Sequence, residues 1–385
     1  MKRICIITTV SSSIDNWIKP FLIDYNKNGI DVTIVCNMSE EYRNSLEKEF
    51  PFVHTYAIPF PRGINLKGSI QSIIALKKFF KKEKFDMVQY STPNASFYAA
   101  VAAKSAKIPV RLYCQWGMVF VTQKGIKRKI FERIERIICK NSTFIQPDSI
   151  GNLEFCRKNK FYDESKSGLV WNGSAKGIDL TQYDISKKSR YANEIKQEYG
   201  IQDEIVIGFV GRLGAEKGCN ELFNAFQDIQ NIYPKTKLLF VGPIEKEDTI
   251  EPELLKYFYD CPDIIKTGRV QHVEKYMAAM DMFILPSYRE GFGMSLVEAQ
   301  AMEVPVIATE YPGPSSAMKK DETGLVVPIR SKEAIVQAII YLLENKEEAI
   351  AFGKKGRAWV ENTFDQVKFK VEYINNRKWL LGLDE

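Results

Sequence analysis

The sequence predicts an α/β protein built from two doubly wound domains facing a central cleft. Three observations carry this. Apolar runs of strand length alternate with helix-length segments from end to end. The alternation breaks once, near residues 172–185, and then restarts. The chain of 385 residues, 45% hydrophobic and 26% charged, suits two cored domains better than one. Such alternation calls for parallel sheets, because each return to a parallel strand needs a crossover that a helix supplies.

In the first half, residues 4–10, 31–36, 87–90 and 110–113 read as strands, with helices around 16–27, 69–82 and 94–106. Gly29 is a plausible stop for the first helix. The break carries Asn172-Gly173-Ser174 and Lys176-Gly177-Ile178-Asp179. In the second half, residues 205–210, 237–241, 282–285 and 304–308 read as strands. A helix over 218–232 places Leu222, Phe223, Phe226, Ile229 and Ile232 on one face before Pro234 ends it. The expected domains are 1–175 and 183–365, with a helix over 366–385 packing back on the first. In doubly wound sheets ligands bind outside the carboxyl ends of the strands.

Composition removes several classes. The opening apolar stretch is only about seven residues long and runs into Asp15 without a small-residue cleavage site, so it reads as a buried strand rather than a signal peptide. No run reaches the roughly 18 apolar residues that span a bilayer. Seven cysteines, odd in number and without a C-x-x-C pair, read as reduced thiols of a cytosolic protein with no zinc site. With His54 and His272 as the only histidines, an H-E-x-x-H protease and most histidine triads cannot be assembled. D-x-D, G-x-x-x-x-G-K-[ST] and G-x-G-x-x-G are all absent. The net charge of +6 is uneven: residues 1–180 carry 28 Lys and Arg against 16 Asp and Glu, and the remainder is acidic.

Two segments point to chemistry. In Leu285 to Thr309 a strand runs into a loop holding Glu290, Gly291 and Gly293, and a helix begins near Ser295. Glycines let backbone approach a ligand, and the first N–H groups of a helix, here Met294, Ser295 and Leu296, form an anion site. Glu290 on the loop and Glu298 in the first turn could reach a sugar and a ribose. Equally, Ser295 and Glu298 could form a capping box, and Glu290 could pair with Arg289. In Ile205 to Phe226 another strand leads into a loop with Gly208, Gly211, Gly214 and Gly218, carrying Arg212 and Lys217. Two cations at a sheet mouth suit a diphosphate. Either segment alone is ordinary βα-loop chemistry; both in one domain are harder to obtain by chance.

Gly-Arg-Leu-x-x-Glu-Lys-Gly (Gly211 to Gly218) followed by Pro-Ser-x-x-Glu-Gly-Phe-Gly-x-x-x-x-Glu-Ala (Pro286 to Ala299) resembles the retaining family 4 glycosyltransferases of the GT-B fold, over most of 168–365 and more loosely before it. Residues 124–149 and the stretch NGSAKGIDL are similar to enzymes of bacterial capsule, exopolysaccharide or O-antigen assembly. The resemblance implies a hexosyl transfer from a nucleotide-diphosphate sugar, UDP favoured, to a glycan or glycolipid acceptor, with retention. It also implies that no metal or other cofactor is needed, since cations and helix N-termini take the metal's place. Arg212 and Lys217 would hold the diphosphate and Glu290 the sugar. The donor would further be met by Gly211, Gly291, the backbone of Phe292, Gly293, Met294, Ser295 and Leu296, Glu298 at the ribose and Val270 at the base.

Two departures concern the acceptor side. Relatives often carry His-Gly after the fourth strand, where this chain has Gln115-Trp116-Gly117. Gln115 could take the polar role, or Trp116 could stack on a sugar, or Trp116 could be plain core. The first loop, often with paired glycines, is here Thr8-Thr9-Val10-Ser11-Ser12-Ser13, and Ser11 and Ser12 are acceptor-phosphate candidates.

Lys77–Phe85 and Lys124–Lys140 mix cations with apolar residues; Ile130, Phe131, Ile134, Ile137 and Ile138 recur at helical spacing in the second. They read either as amphipathic helices packed on the sheet or as a surface docking on an anionic inner leaflet, which would make the protein peripheral there. No nucleic-acid motif is present. The competing functions are a nucleotide-sugar epimerase of the same fold, which wants several acid/base residues and is disfavoured by the scarcity of histidine, and a non-catalytic sugar-nucleotide-binding protein.

Overall fold

A computed structural model describes residues 1–61 and 65–383; Asp384 and Glu385, in the expected closing helix, lie outside the described residues. The chain divides into two compact units, Met1–Lys176 with Val367–Glu385, and Gly177–Gln366.

The first unit holds a six-stranded sheet of β1 (Lys2–Val10), β2 (Ile30–Asn37), β3 (Val53–Ala57), β4 (Met87–Tyr90), β5 (Val110–Gln115) and β6 (Phe144–Pro147). Its order is β3-β2-β1-β4-β5-β6, every pair parallel, with Ile4 opposite both Val32 and Met87. The second unit repeats the plan with β7 (Ile205–Val210), β8 (Thr236–Val241), β9 (Ile264–Gly268), β10 (Met282–Leu285), β11 (Val306–Thr309) and β12 (Gly324–Val327), in the order β12-β11-β10-β7-β8-β9. Central strands such as β4, β10 and β11 are buried throughout, as parallel strands covered on both faces must be.

The strand order reverses between β1 and β4 in one sheet and between β7 and β10 in the other. A crevice opens at such a reversal because the following connections leave toward opposite faces. The loops after β7 and β10 are the two singled out by their glycines and charges.

Helix Cys219–Ile232 buries Leu222, Phe223, Phe226 and Ile229, whereas Ile232, expected on the same face, is 55% exposed because the helix ends there. The serine-rich loop expected after β1 is not a loop: β1 runs to Val10 and a helix, Ser11–Trp17, begins at once. The last helix, Gln366–Leu381, packs on the first unit, where Tyr373 stacks on Phe21 at 4.0 Å. Its Arg377, fully buried, donates to Gln89 (3.0 Å) and Gln146 (2.7 Å). Among the described residues all seven cysteines are free and buried, and no helix is long and apolar enough to cross a membrane.

Candidate functional site

The loops after β7 and β10 interlock. Gly218, at φ +73°, presses so closely on the second loop that a Cβ would lie 2.1 Å from the Pro286 carbonyl oxygen. The Tyr288 N–H donates to the Glu216 carbonyl (3.0 Å). A third segment closes in at Gly313, whose Cβ would meet the Glu290 carbonyl oxygen at 2.5 Å. Glycine is required at these contacts because no side chain fits between the backbones.

This packing sets the charged groups. Lys217 Nζ donates to Glu290 Oε1 at 2.6 Å, with both side chains more than four-fifths buried, so the two loops are joined by a cation and a carboxylate. Arg212 reaches Glu216 (3.3 Å) and Glu245 (3.6 Å). Arg289 pairs with Glu216 (3.2 Å) rather than with its neighbour Glu290. Lys246, on the loop after β8, also donates to Glu216 (3.0 Å). Burial alone would raise the Glu216 carboxyl, but Arg289, Lys246 and Arg212 overcome it and hold the group down at about 2.

Two helices begin beside these groups. Helix Cys219–Ile232 starts at Gly218, directly after Lys217, and helix Met294–Ala301 starts at Gly293, in the left-handed region at φ +99°. Gly293, not Ser295, is the N-cap and no side chain caps the helix, so the capping box does not form. Glu298 is therefore the fifth helical residue, in the second turn rather than the first, and it accepts a hydrogen bond from buried Tyr183. Phe292 and Leu296 are buried in the apolar cluster, which leaves only their backbone for a ligand. Val270 packs against that same cluster. Gly211 backs onto Gly242, whose Cβ would meet its carbonyl oxygen at 2.0 Å. Glu216, Arg289, Glu245 and Lys246 were not singled out as site residues. Glu216 lies inside the quoted motif, but Arg212 stands outside the short helical turn that carries Glu216, so helical spacing gave no signal, and the loop after β8 offered none.

In the first unit the candidates part. Gln115 is fully buried and both ends of its amide are engaged, donating to Glu135 Oε1 (2.6 Å) and accepting from Tyr162 (3.0 Å). It is a core polar group with both ends of its amide held by neighbouring side chains. Trp116 is half-buried with its ring 5.8 Å from that of Trp17, and Lys176 Nζ lies 5.6 Å from the Trp17 centroid. Trp17 closes the helix that Ser11 and Ser12 begin, so these candidates share one region; Gly117 follows at φ +100°. A cavity of about 20 Å³, lined by Trp17, Trp116, Asp148 and Arg377 among others, lies beneath.

Burial pushes the Glu135 carboxyl up to about 7, against hydrogen bonds from Gln115 and Tyr113 that pull it down. A raised carboxyl means the folded chain holds more protons than the unfolded one between the ordinary value and about 7, so stability falls as pH rises through that window. Melting temperature is expected to drop from pH 5 to pH 8 in the wild type, and to drop less in Glu135→Gln. Equal drops would mean that Glu135 does not titrate there.

Helix Gly125–Asn141, which carries Glu135, leaves residues 124–130 exposed on every side, with Ile126 78% and Ile130 40% exposed among Lys124, Lys127, Arg128 and Lys129. Ile138 is buried, and Phe131 and Ile134 pack against the core. Helix Leu66–Glu83 likewise exposes Ile70 and Ile74, one turn apart, beside Lys67 and Lys78. The face expected to pack wholly on the sheet is thus partly outside.

A model of the "Glycosyl transferases group 1" family matches residues 192–359, and one described as "Glycosyl transferase 4-like" matches residues 3–149. The chain is 29% identical to the capsular polysaccharide biosynthesis glycosyltransferase CapM of Staphylococcus aureus, covering 88% of this chain and 87% of that one. It is 30% identical to the putative teichuronic acid biosynthesis glycosyltransferase TuaC of Bacillus subtilis (82% and 81% covered). It is 24% identical to an Escherichia coli protein named UDP-Gal:alpha-D-GlcNAc-diphosphoundecaprenol alpha-1,3-galactosyltransferase (90% and 88% covered). Among solved structures, a glycosyltransferase from Rickettsia africae superposes over 99% of this chain and 98% of its own, with a TM-score of 0.77 at 18% identity, which shows the shared GT-B fold. The chain belongs to the group 1 glycosyl transferases with a glycosyl transferase 4-like N-terminal half.

Proposed function

We propose that this glycosyltransferase moves a sugar, with retention and without a metal, from a UDP-sugar to a lipid-diphosphate-linked glycan in bacterial surface-polysaccharide assembly. The observation that carries the donor half is the meeting of Lys217, Arg212 and Glu290 on adjoining loops at the β7/β10 reversal. A diphosphate leaving there gains charge, and two cations beside two helix starts stabilise that charge more in the transition state than before it. Lys217 would exchange Glu290 for a phosphate oxygen, which frees the carboxylate for sugar hydroxyls. Glu298 would take the ribose and Val270 the base. The bond between the anomeric carbon and the phosphate oxygen breaks as the acceptor oxygen bonds to that carbon, and the acceptor's proton passes to the departing phosphate. No protein base is then needed, which suits a chain with two histidines.

The acceptor half is supported by the Escherichia coli relative, named for a diphosphoundecaprenol-linked acceptor, by the capsular CapM, and by the basic face of the first unit. Exposed Ile126 and Ile130 beside Lys124, Lys127, Arg128 and Lys129, and Ile70 and Ile74 beside Lys67 and Lys78, give two patches that an anionic inner leaflet can bind, at about 1 kcal/mol per cation near the membrane. The chain would work at the cytoplasmic side, in contact with its lipid-borne acceptor. Co-flotation with vesicles containing anionic phospholipid is expected, weakened by salt and by Ile126→Asp. Equal recovery with neutral vesicles would contradict the docking. For the donor, a thermal-shift panel of nucleoside diphosphates should raise the melting temperature with UDP, by mass action on the folded state. No shift with any of them would remove the donor site.

A further inference from the structure

One carboxylate at the heart of the donor loops has no part in the chemistry just described. Glu216 accepts from Arg212 Nη2 and Lys246 on one oxygen and from Arg289 on the other. It thus ties together the loops after β7, β8 and β10, and its backbone carbonyl holds the Tyr288 N–H. Its side chain is three-quarters buried, which strengthens such pairing. Glu245 is the opposite case: 46% exposed, its one ion pair among the described residues is with Arg212 Nη1, at 3.6 Å. The two carboxylates therefore hold different nitrogens of one guanidinium.

Four cations, Arg212, Lys217, Lys246 and Arg289, face three carboxylates, Glu216, Glu245 and Glu290, in this cluster. A nucleoside diphosphate adds at least two negative charges, so a carboxylate must give way. The weakest and most exposed contact yields first. We propose that Glu216 is the positioning residue of the diphosphate site, and that Glu245 is the carboxylate a nucleoside diphosphate displaces from Arg212, as it displaces Glu290 from Lys217. Arg212 keeps Nη2 on Glu216, which fixes the plane of the guanidinium, while Nη1 exchanges Glu245 for a phosphate oxygen. This rests on the donor site proposed above, which it deepens.

Calorimetric titration of the full chain with UDP tests it. Glu216→Gln is expected to weaken binding about tenfold or more, the scale of one charge-assisted contact. Glu216→Asp should recover part of that, and the loss should fall on donor KM more than on kcat. Glu245→Gln is expected to tighten binding about threefold, less so at high salt. A Glu216→Gln chain with wild-type affinity, or a Glu245→Gln chain that binds more weakly, would overturn the proposal. Glu245 is surface-lying, so its variant decides the matter even if Glu216→Gln folds poorly. A wild-type chain that binds UDP while the variants behave alike sinks only this inference; one that binds no nucleoside diphosphate sinks the donor site itself.

Discussion

Lys217→Ala is expected to lower kcat/KM for sugar transfer by about 10²–10³-fold, and Arg212→Ala by a similar factor, since in the proposed mechanism each removes a donor that would meet developing phosphate charge. Lys217→Ala carries a second penalty. Glu290, whose side chain is only 17% exposed, would be left without the cation that now holds it at 2.6 Å. The loss should appear mostly in kcat, because charge on the phosphate grows as the glycosidic bond breaks. Steady-state kinetics with a UDP-sugar and a defined acceptor measures it. Near-normal rates in both variants would show that the cations serve only to hold the loops.

Gly218→Ala should be at least as damaging to activity, although no functional group is lost. At φ +73° an alanine costs about 1–2 kcal/mol, and its Cβ would fall 2.1 Å from a backbone carbonyl that cannot swing aside as a flexible side chain would. The loops must separate, which pulls Lys217 from Glu290 and Glu216 from Arg289. Gly200→Ala is the matched control: its φ is +64° and nothing lies within 4 Å of the added carbon. It should lose a few degrees of melting temperature and no activity. Similar behaviour of the two variants would mean that the close approach at Pro286 is not what builds the site.

The strands read from the sequence are β1, β2, β4, β5, β7, β8, β10 and β11, which are the inner strands of both sheets. Those it did not mark are β3, β6, β9 and β12, the four edges. For β3 and β9 the reason is solvent. An inner parallel strand is buried on both faces and must be an apolar run, whereas β3, Val-His-Thr-Tyr-Ala, has one buried residue and four that are not. The serine run after Val10 looked like a turn because serine is a turn former; a strand entering a helix directly leaves no such mark.

At the site, Arg212, Lys217 and Glu290 were legible because glycine and charge coincide at the ends of two apolar runs. Their pairing was not, since Lys217 and Glu290 are 73 residues apart and meet only through the sheet order. Gln115 was legible as a polar residue at a strand end but not as a buried one. Its direction depends on Glu135 and Tyr162, which arrive from later in the chain.

The most direct measurement is a crystal structure of the chain with UDP bound. The expected result is a diphosphate between the loops after β7 and β10, with Lys217 Nζ and Arg212 Nη1 within about 3.2 Å of its oxygens and Glu290 released from Lys217. A nucleotide bound elsewhere, or bound there with Lys217 still paired to Glu290, would contradict the central claim.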